Sequence, residues 1–178
     1  FTQSLQEVRR DVLVLAANAV EAVPRSTRAI LDADRRCGED LICSEERLRG
    51  SVESIEDRCF RRIALQQPAA HDLRCLLTAM RLASEFGRVH SLASNIARAA
   101  VRLDAPPEDA RVRGLLQRMS DEAQLLLRSA VDAYANEDVT AAMDVRRLDE
   151  GLDALHRHFV SRVLDACRDG RTEVWSAV

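Results

Sequence analysis

Apolar residues recur at alternating spacings of three and four through most of this chain, the period of a helix with one buried face. Leu5, Val8, Val12, Leu15, Ala19 and Ala22 form the first such stripe and predict a helix from about Ser4 to Asp34. Pro24 lies inside it and, lacking a backbone donor, predicts a kink or a short break. Asp34 to Gly38 reads as a connection. A second helix follows from Glu39 to about Leu65, with Leu41, Leu48, Val52, Ile55, Cys59 and Ile63 on its apolar face. Gln66-Gln67-Pro68 ends it, because the residue before a proline avoids the helical region. Pro68 suits the first turn of a third helix, predicted from Pro68 to about Leu103 with Leu73, Leu77, Met80 and Ile96 inward. Asp104-Ala105-Pro106-Pro107 reads as a linker.

The pattern then starts again. A fourth helix is predicted over Glu108 to Ala135, carrying Leu116, Met119, Ala123, Leu126 and Ala130. Asn136-Glu137-Asp138 is a turn, and a fifth helix over Val139 to Cys167 carries Leu148, Leu152, Leu155, Phe159 and Val163. Arg168 to Arg171 reads as another turn, with a stub after it. At an offset of about 104, Val12 falls on Leu116, Leu15 on Met119, Ala19 on Ala123, Asp34 on Asp138, Glu45 on Asp149 and Leu48 on Leu152. The expected fold is all-α: an antiparallel helical bundle of two three-helix repeats, residues 1–104 and 108–178, the second lacking most of its last helix. Apolar stripes left uncovered by that missing helix predict a homodimer.

Composition removes other classes. Apolar residues are 47% of the 178, enough for a core, while aromatics are 3% and Gly and Pro number 6 and 4, too little turn chemistry for a many-stranded sheet. All 26 basic residues are arginine, yet the net charge is -3 and the arginine pairs lie among acids, so no nucleic-acid partner is expected. The most apolar stretch, Val12 to Val23, is interrupted by Asn18 and Glu21 and too short to span a bilayer, so no membrane insertion is expected. The 5 cysteines (37, 43, 59, 75 and 167) form no CxxC motif and read as free, mostly buried thiols. With no signal peptide in view, a cytoplasmic protein is the expectation.

The run Ala64-Leu65-Gln66-Gln67-Pro68-Ala69-Ala70-His71-Asp72-Leu73-Arg74 resembles the signature of the PhoU family, which regulates phosphate uptake and is built from tandem three-helix repeats. Arg88 and the run Asn95-Ile96-Ala97 also match the family's third helix, and the resemblance covers about residues 3 to 168. It implies a non-enzymatic adaptor between the phosphate ABC transporter's ATPase subunit and a sensor histidine kinase, which keeps the phosphate-starvation response off. In many relatives two acids four residues apart on the third helix hold iron, zinc or other divalent ions. Those positions are Gly87 and Ser91 here, so no metal cofactor is carried over. Alternatives are a metal-binding helical bundle, or a diverged adaptor serving another transporter or kinase.

Other constellations offer weaker chemistry. Asp149, Asp153 and His156 share one face of the fifth helix and are weak metal candidates. Glu85 and His90 are five apart, point away from each other on a straight helix, and read as surface polar residues. Glu53, Asp57 and Arg61 read as an exposed ion-pair ladder. Cys59, Cys75 and His71 invite a Cys–His nucleophile reading, but Cys59 continues the apolar stripe of Val52 and Ile55; no enzymatic activity is expected. Asp72, in the first turn of the third helix, suits the helix dipole. The same junction, with Gln66, Gln67, Pro68 and Arg74, is also a candidate partner surface.

Overall fold

The computed structural model describes residues 2–168 as five α-helices: α1 (Thr2–Leu31), α2 (Arg35–Gln66), α3 (Ala70–Val101), α4 (Ala110–Asn136) and α5 (Val139–Arg168). The turn expected after Arg168 and the stub beyond it lie outside the described residues. The helix α3 packs on both α1 and α2, α1 also packs on α4, and α5 packs on α4 alone among the described elements.

Several boundaries differ from the sequence-based reading, each for a local reason. No break occurs at Pro24: α1 runs through it as one helix, with the buried Ala22, Ser26 and Ala29 holding that stretch in the core. The helix α2 begins at Arg35 because Asp34 caps it, its carboxylate accepting the Cys37 N–H at 3.0 Å. Gly38 is therefore helical, and a Cβ there would meet Val101 Cγ2 at 2.8 Å and the Ala97 carbonyl oxygen at 3.2 Å. Its missing side chain lets α2 and α3 touch. Pro68 is not in the first turn of α3. Gln67, at φ 43, ends α2, and Ala69 occupies the N-cap position, so Pro68 lies between the two helices.

The inward face of α3 is rotated from the predicted one. Leu76, Ala79, Ala83, Phe86, Ala93, Ala97 and Ala100 are buried, Leu73 and Met80 half-buried, and Leu77 and Ile96 exposed. The central helix touches two neighbours, and alanines permit that close approach; a search for large apolar steps passes over them. Of the cysteines whose burial is described, only Cys59 is buried; Cys37 and Cys75 are half-buried and Cys43 is exposed.

The two helix corners are built alike, 104 residues apart. Ala33 and Glu137 both adopt the left-handed conformation, at φ 49 and 56. The N–H of Asp34 donates to the Ala29 carbonyl (3.0 Å), and that of Asp138 to the Ala133 carbonyl (2.9 Å). The N–H groups of Ala33 and Glu137 donate to the carbonyls of Ile30 and Tyr134, each at 3.4 Å. This is the Schellman pattern, which satisfies carbonyls left over at a helix end. Asp138 then caps the start of α5 as Asp34 caps α2, accepting the Ala141 N–H at 2.9 Å.

The same offset governs the junction of α1 with α4. Arg9 on α1 donates to the carbonyls of Tyr134 (2.9 Å) and Ala135 (2.8 Å) at the end of α4, pairs with Glu137 and lies 5.5 Å over the Tyr134 ring. Arg113 on α4 donates to the Leu31 carbonyl at the end of α1, with Asp32 3.9 Å away. Each helix thus places a cation on the negative end of the other.

Arg9→Ala is expected to destabilise the fold by about 1–2 kcal/mol, since charge-assisted bonds to two carbonyls are lost. Arg113→Ala should cost a comparable amount, and Ala33→Gly should add about 1 kcal/mol by relieving the left-handed backbone. Urea unfolding of the three variants against the parent measures all of these.

Candidate functional site

The junction of α2 and α3 presents its polar residues to solvent. Gln66, Gln67 and Arg74 are exposed, and Pro68 and Asp72 are half-buried. Asp72 stands in the first turn of α3, where the helix dipole favours an acid. Beside these residues two large apolar side chains face water, Phe60 (62% exposed) and Leu65 (81%). Arg58, Arg61 and Arg62 line a shallow depression together with Leu65 and Gln66. Arg61 pairs with Asp57 within α2, while Arg58 pairs with Asp11 and Arg62 with Glu7 across the α1–α2 seam. Glu53 lies outside those pairs, exposed one turn before Asp57.

The same end of the bundle carries an open apolar groove of about 650 Å³ between α3 and α5, floored by α1 and α4. Val8, Ala79, Leu82, Ala133 and Val145 are among its walls, and Arg9, Glu137 and Asp138 stand at its edge.

Further along, the α2–α3 seam holds polar groups that the sequence reading placed outside. His90 is not a surface residue; it is 3% exposed. Its Nε2 lies 3.1 Å from Ser44 Oγ and its Nδ1 3.5 Å from Ser94 Oγ. Ser44 Oγ also donates to the Leu41 carbonyl at 2.7 Å, so its single proton is committed and it accepts from Nε2–H. That fixes the neutral tautomer, with Nδ1 free to accept from Ser94. Burial pushes the His90 pKa below its ordinary value; the Glu45 charge opposes the shift, and Arg25 and Arg47 add to it. The signal was present in the chain: Ala83, Phe86, His90, Ala93 and Ala97 continue one stripe at steps of three and four.

Next to His90, Arg98 donates to the Glu45 carboxylate and, at 2.8 Å, to Asn95 Oδ1. Burial would raise the Glu45 carboxyl, but hydrogen bonds from Arg98 and Ser91, with the charges of Arg98 and Arg49, hold it below its ordinary value. Glu85 is exposed and pairs with Arg88 at 3.1 Å. A cavity of about 170 Å³ lies at the seam, lined by Glu45, Val52, Ser84, Gly87, His90 and Ser91 among others.

The residues at positions 87 and 91, Gly87 and Ser91, do not fit a cation. A Cβ on Gly87 would sit 3.0 Å from Val52 Cγ2, tighter than ordinary contact. The neighbouring donors are already committed, Glu45 to Arg98 and Ser91, and His90 to two serines. Asp149, Asp153 and His156 are all exposed on α5, and no three metal-ligating side chains converge among the described residues. His71 Nε2 and Cys75 Sγ are 3.7 Å apart, one turn apart on the same helix. Cys59 is buried apart from solvent, and burial raises its thiol pKa, which disfavours the nucleophilic thiolate.

Because His90 is held neutral, the unfolded chain takes up its proton first as pH falls below about 6.5. The stabilisation is fully present above that pH and is lost progressively below it. Urea midpoints measured from pH 7.5 to 5.5 should fall more steeply for the parent than for His90→Gln. Parallel profiles would exclude this role.

Comparison with known proteins gives a consistent result. The PhoU domain family model matches residues 12–100 and 116–176. A phosphate-specific transport system accessory protein PhoU homolog from Pseudomonas putida is 28% identical over 153 residues, covering 86% of this chain and 60% of that protein. The PhoU homolog 2 of Mycobacterium tuberculosis is 30% identical over 168 residues, covering 93% of this chain and 78% of its own length. The crystal structure of PhoU from Pseudomonas aeruginosa superposes with a TM-score of 0.91 at 24% identity, over 99% of this chain and 86% of that one. That of the phosphate transport system regulatory protein PhoU from Streptococcus pneumoniae gives 0.86 at 22%, over 95% and 79%. At these identities the two structures speak for the fold.

Proposed function

The chain belongs to the PhoU family, and from that membership we propose that it regulates phosphate uptake as a non-enzymatic accessory protein. In this reading it works in the cytoplasm, contacting the ATPase subunit of the phosphate transporter and the cytoplasmic region of a sensor histidine kinase. The observation that carries the reading is alignment of 86% and 93% of the chain with two relatives named as accessory proteins of phosphate-specific transport. The end of the bundle at the α2–α3 corner supplies a suitable surface. Phe60 and Leu65 offer apolar area, Gln66, Gln67 and Arg74 offer directional hydrogen bonds, and the groove between α3 and α5 opens at the same end. An apolar centre with a polar rim is the usual anatomy of a partner surface. Self-association belongs to the same reading, since Leu116, Met119 and Ala123 of α4 stay half-exposed where Val12, Leu15 and Ala19 of α1 are buried.

The test is binding of the purified chain to the kinase region and to the ATPase subunit, with and without added divalent metal. A Kd of about 1 µM or tighter for both, unchanged by chelator, is expected. Leu65→Asp should weaken binding about tenfold or more while leaving the melting temperature in place, because Leu65 is already in water. Absence of binding to either partner under both conditions would overturn the proposal.

A further inference from the structure

Where α2 faces α3, Glu45 is a carboxylate in a tight place. Its side chain is 15% exposed, a situation that demands a positive partner or protonation. The burial cost can be met from outside, by a bound cation, or from inside, by a charged side chain of the same fold. The surroundings are all internal. Arg98, in the last turn of α3 and one turn after Ser94, reaches Glu45 and at the same time Asn95. Ser91 lines the same cavity as the carboxylate and helps hold its pKa down. Around the same cavity Gly87 brings no donor and Val52 fills the space a side chain there would need. The imidazole of His90 is turned to Ser44 and Ser94.

We propose that Arg98 is the built-in counter-cation of this seam, neutralising Glu45 in the place of a divalent ion, so that residues 1–104 take up no metal at the α2–α3 interface. A guanidinium suits the task, since it stays charged at every accessible pH and presents several donors in a plane. The seam is consequently closed by the chain's own charges, and its integrity does not follow metal supply. The corresponding acid of the later helices, Asp149, lies 104 residues beyond Glu45, is exposed, and forms no ion pair among the described residues. Metal taken up by the protein would therefore be independent of Glu45. This inference concerns a different face from the partner surface, and either can fail without the other.

The experiment uses the full chain, stripped with chelator and titrated separately with Mn2+ and Zn2+ by calorimetry, alongside thermal melts of Arg98→Gln, Glu45→Gln and the double variant. Uptake, if any, is expected to be the same in the parent and in Glu45→Gln. Arg98→Gln should lower the melting midpoint by about 2–4 °C, because it strands a half-desolvated carboxylate. The double variant should recover part of that loss, the non-additivity of a coupled pair. Metal uptake by the parent that Glu45→Gln abolishes would overturn the proposal, and so would strictly additive melting shifts.

Discussion

Two arginines set how the first three helices meet the last two. A helix ends in carbonyl groups with no partner and a partial negative charge. Here α1 and α4 each settle that problem for the other, Arg9 on Tyr134 and Ala135, Arg113 on Leu31. Because the contacts lie at opposite ends of one antiparallel pair, they set its register along the axis. The rest follows from that register: Leu127, Val131 and Tyr134 of α4 are packed against the core of α1, α2 and α3, and the groove between α3 and α5 opens above the α1–α4 floor.

The α2–α3 pair divides its chemistry along its length. Toward the corner it leaves apolar and amide groups uncovered, which suits recognition. Toward the other end it pairs everything it buries, His90 with serines and Glu45 with Arg98, which suits rigidity. Both regions lie on the same two long helices.

Much of this was legible in the chain. Helix number, the corner at Gln66–Pro68 and the offset of 104 follow from periodicity and from Pro68, Pro106 and Pro107, and burial of Cys59 follows from its place in a stripe. What escaped was local or non-local in definite ways. Asp34 as a cap moved the start of α2, a side-chain bond that no hydrophobic count detects. Pro24 was absorbed because tertiary packing on both sides outweighs one lost hydrogen bond. The α3 face is hard to read in the chain because alanines, rather than leucines, carry it. Glu45 and Arg98 are 53 residues apart, so their pairing exists only once α2 and α3 are antiparallel.

The matching of Arg9 with Arg113 also bears on the connection between the first three helices and the last two. The short stretch between Val101 and Ala110 keeps α1 and α4 within reach of each other. Their encounter is therefore intramolecular, at an effective concentration on the order of millimolar, so a modest set of contacts holds what separate chains would need a larger interface to join.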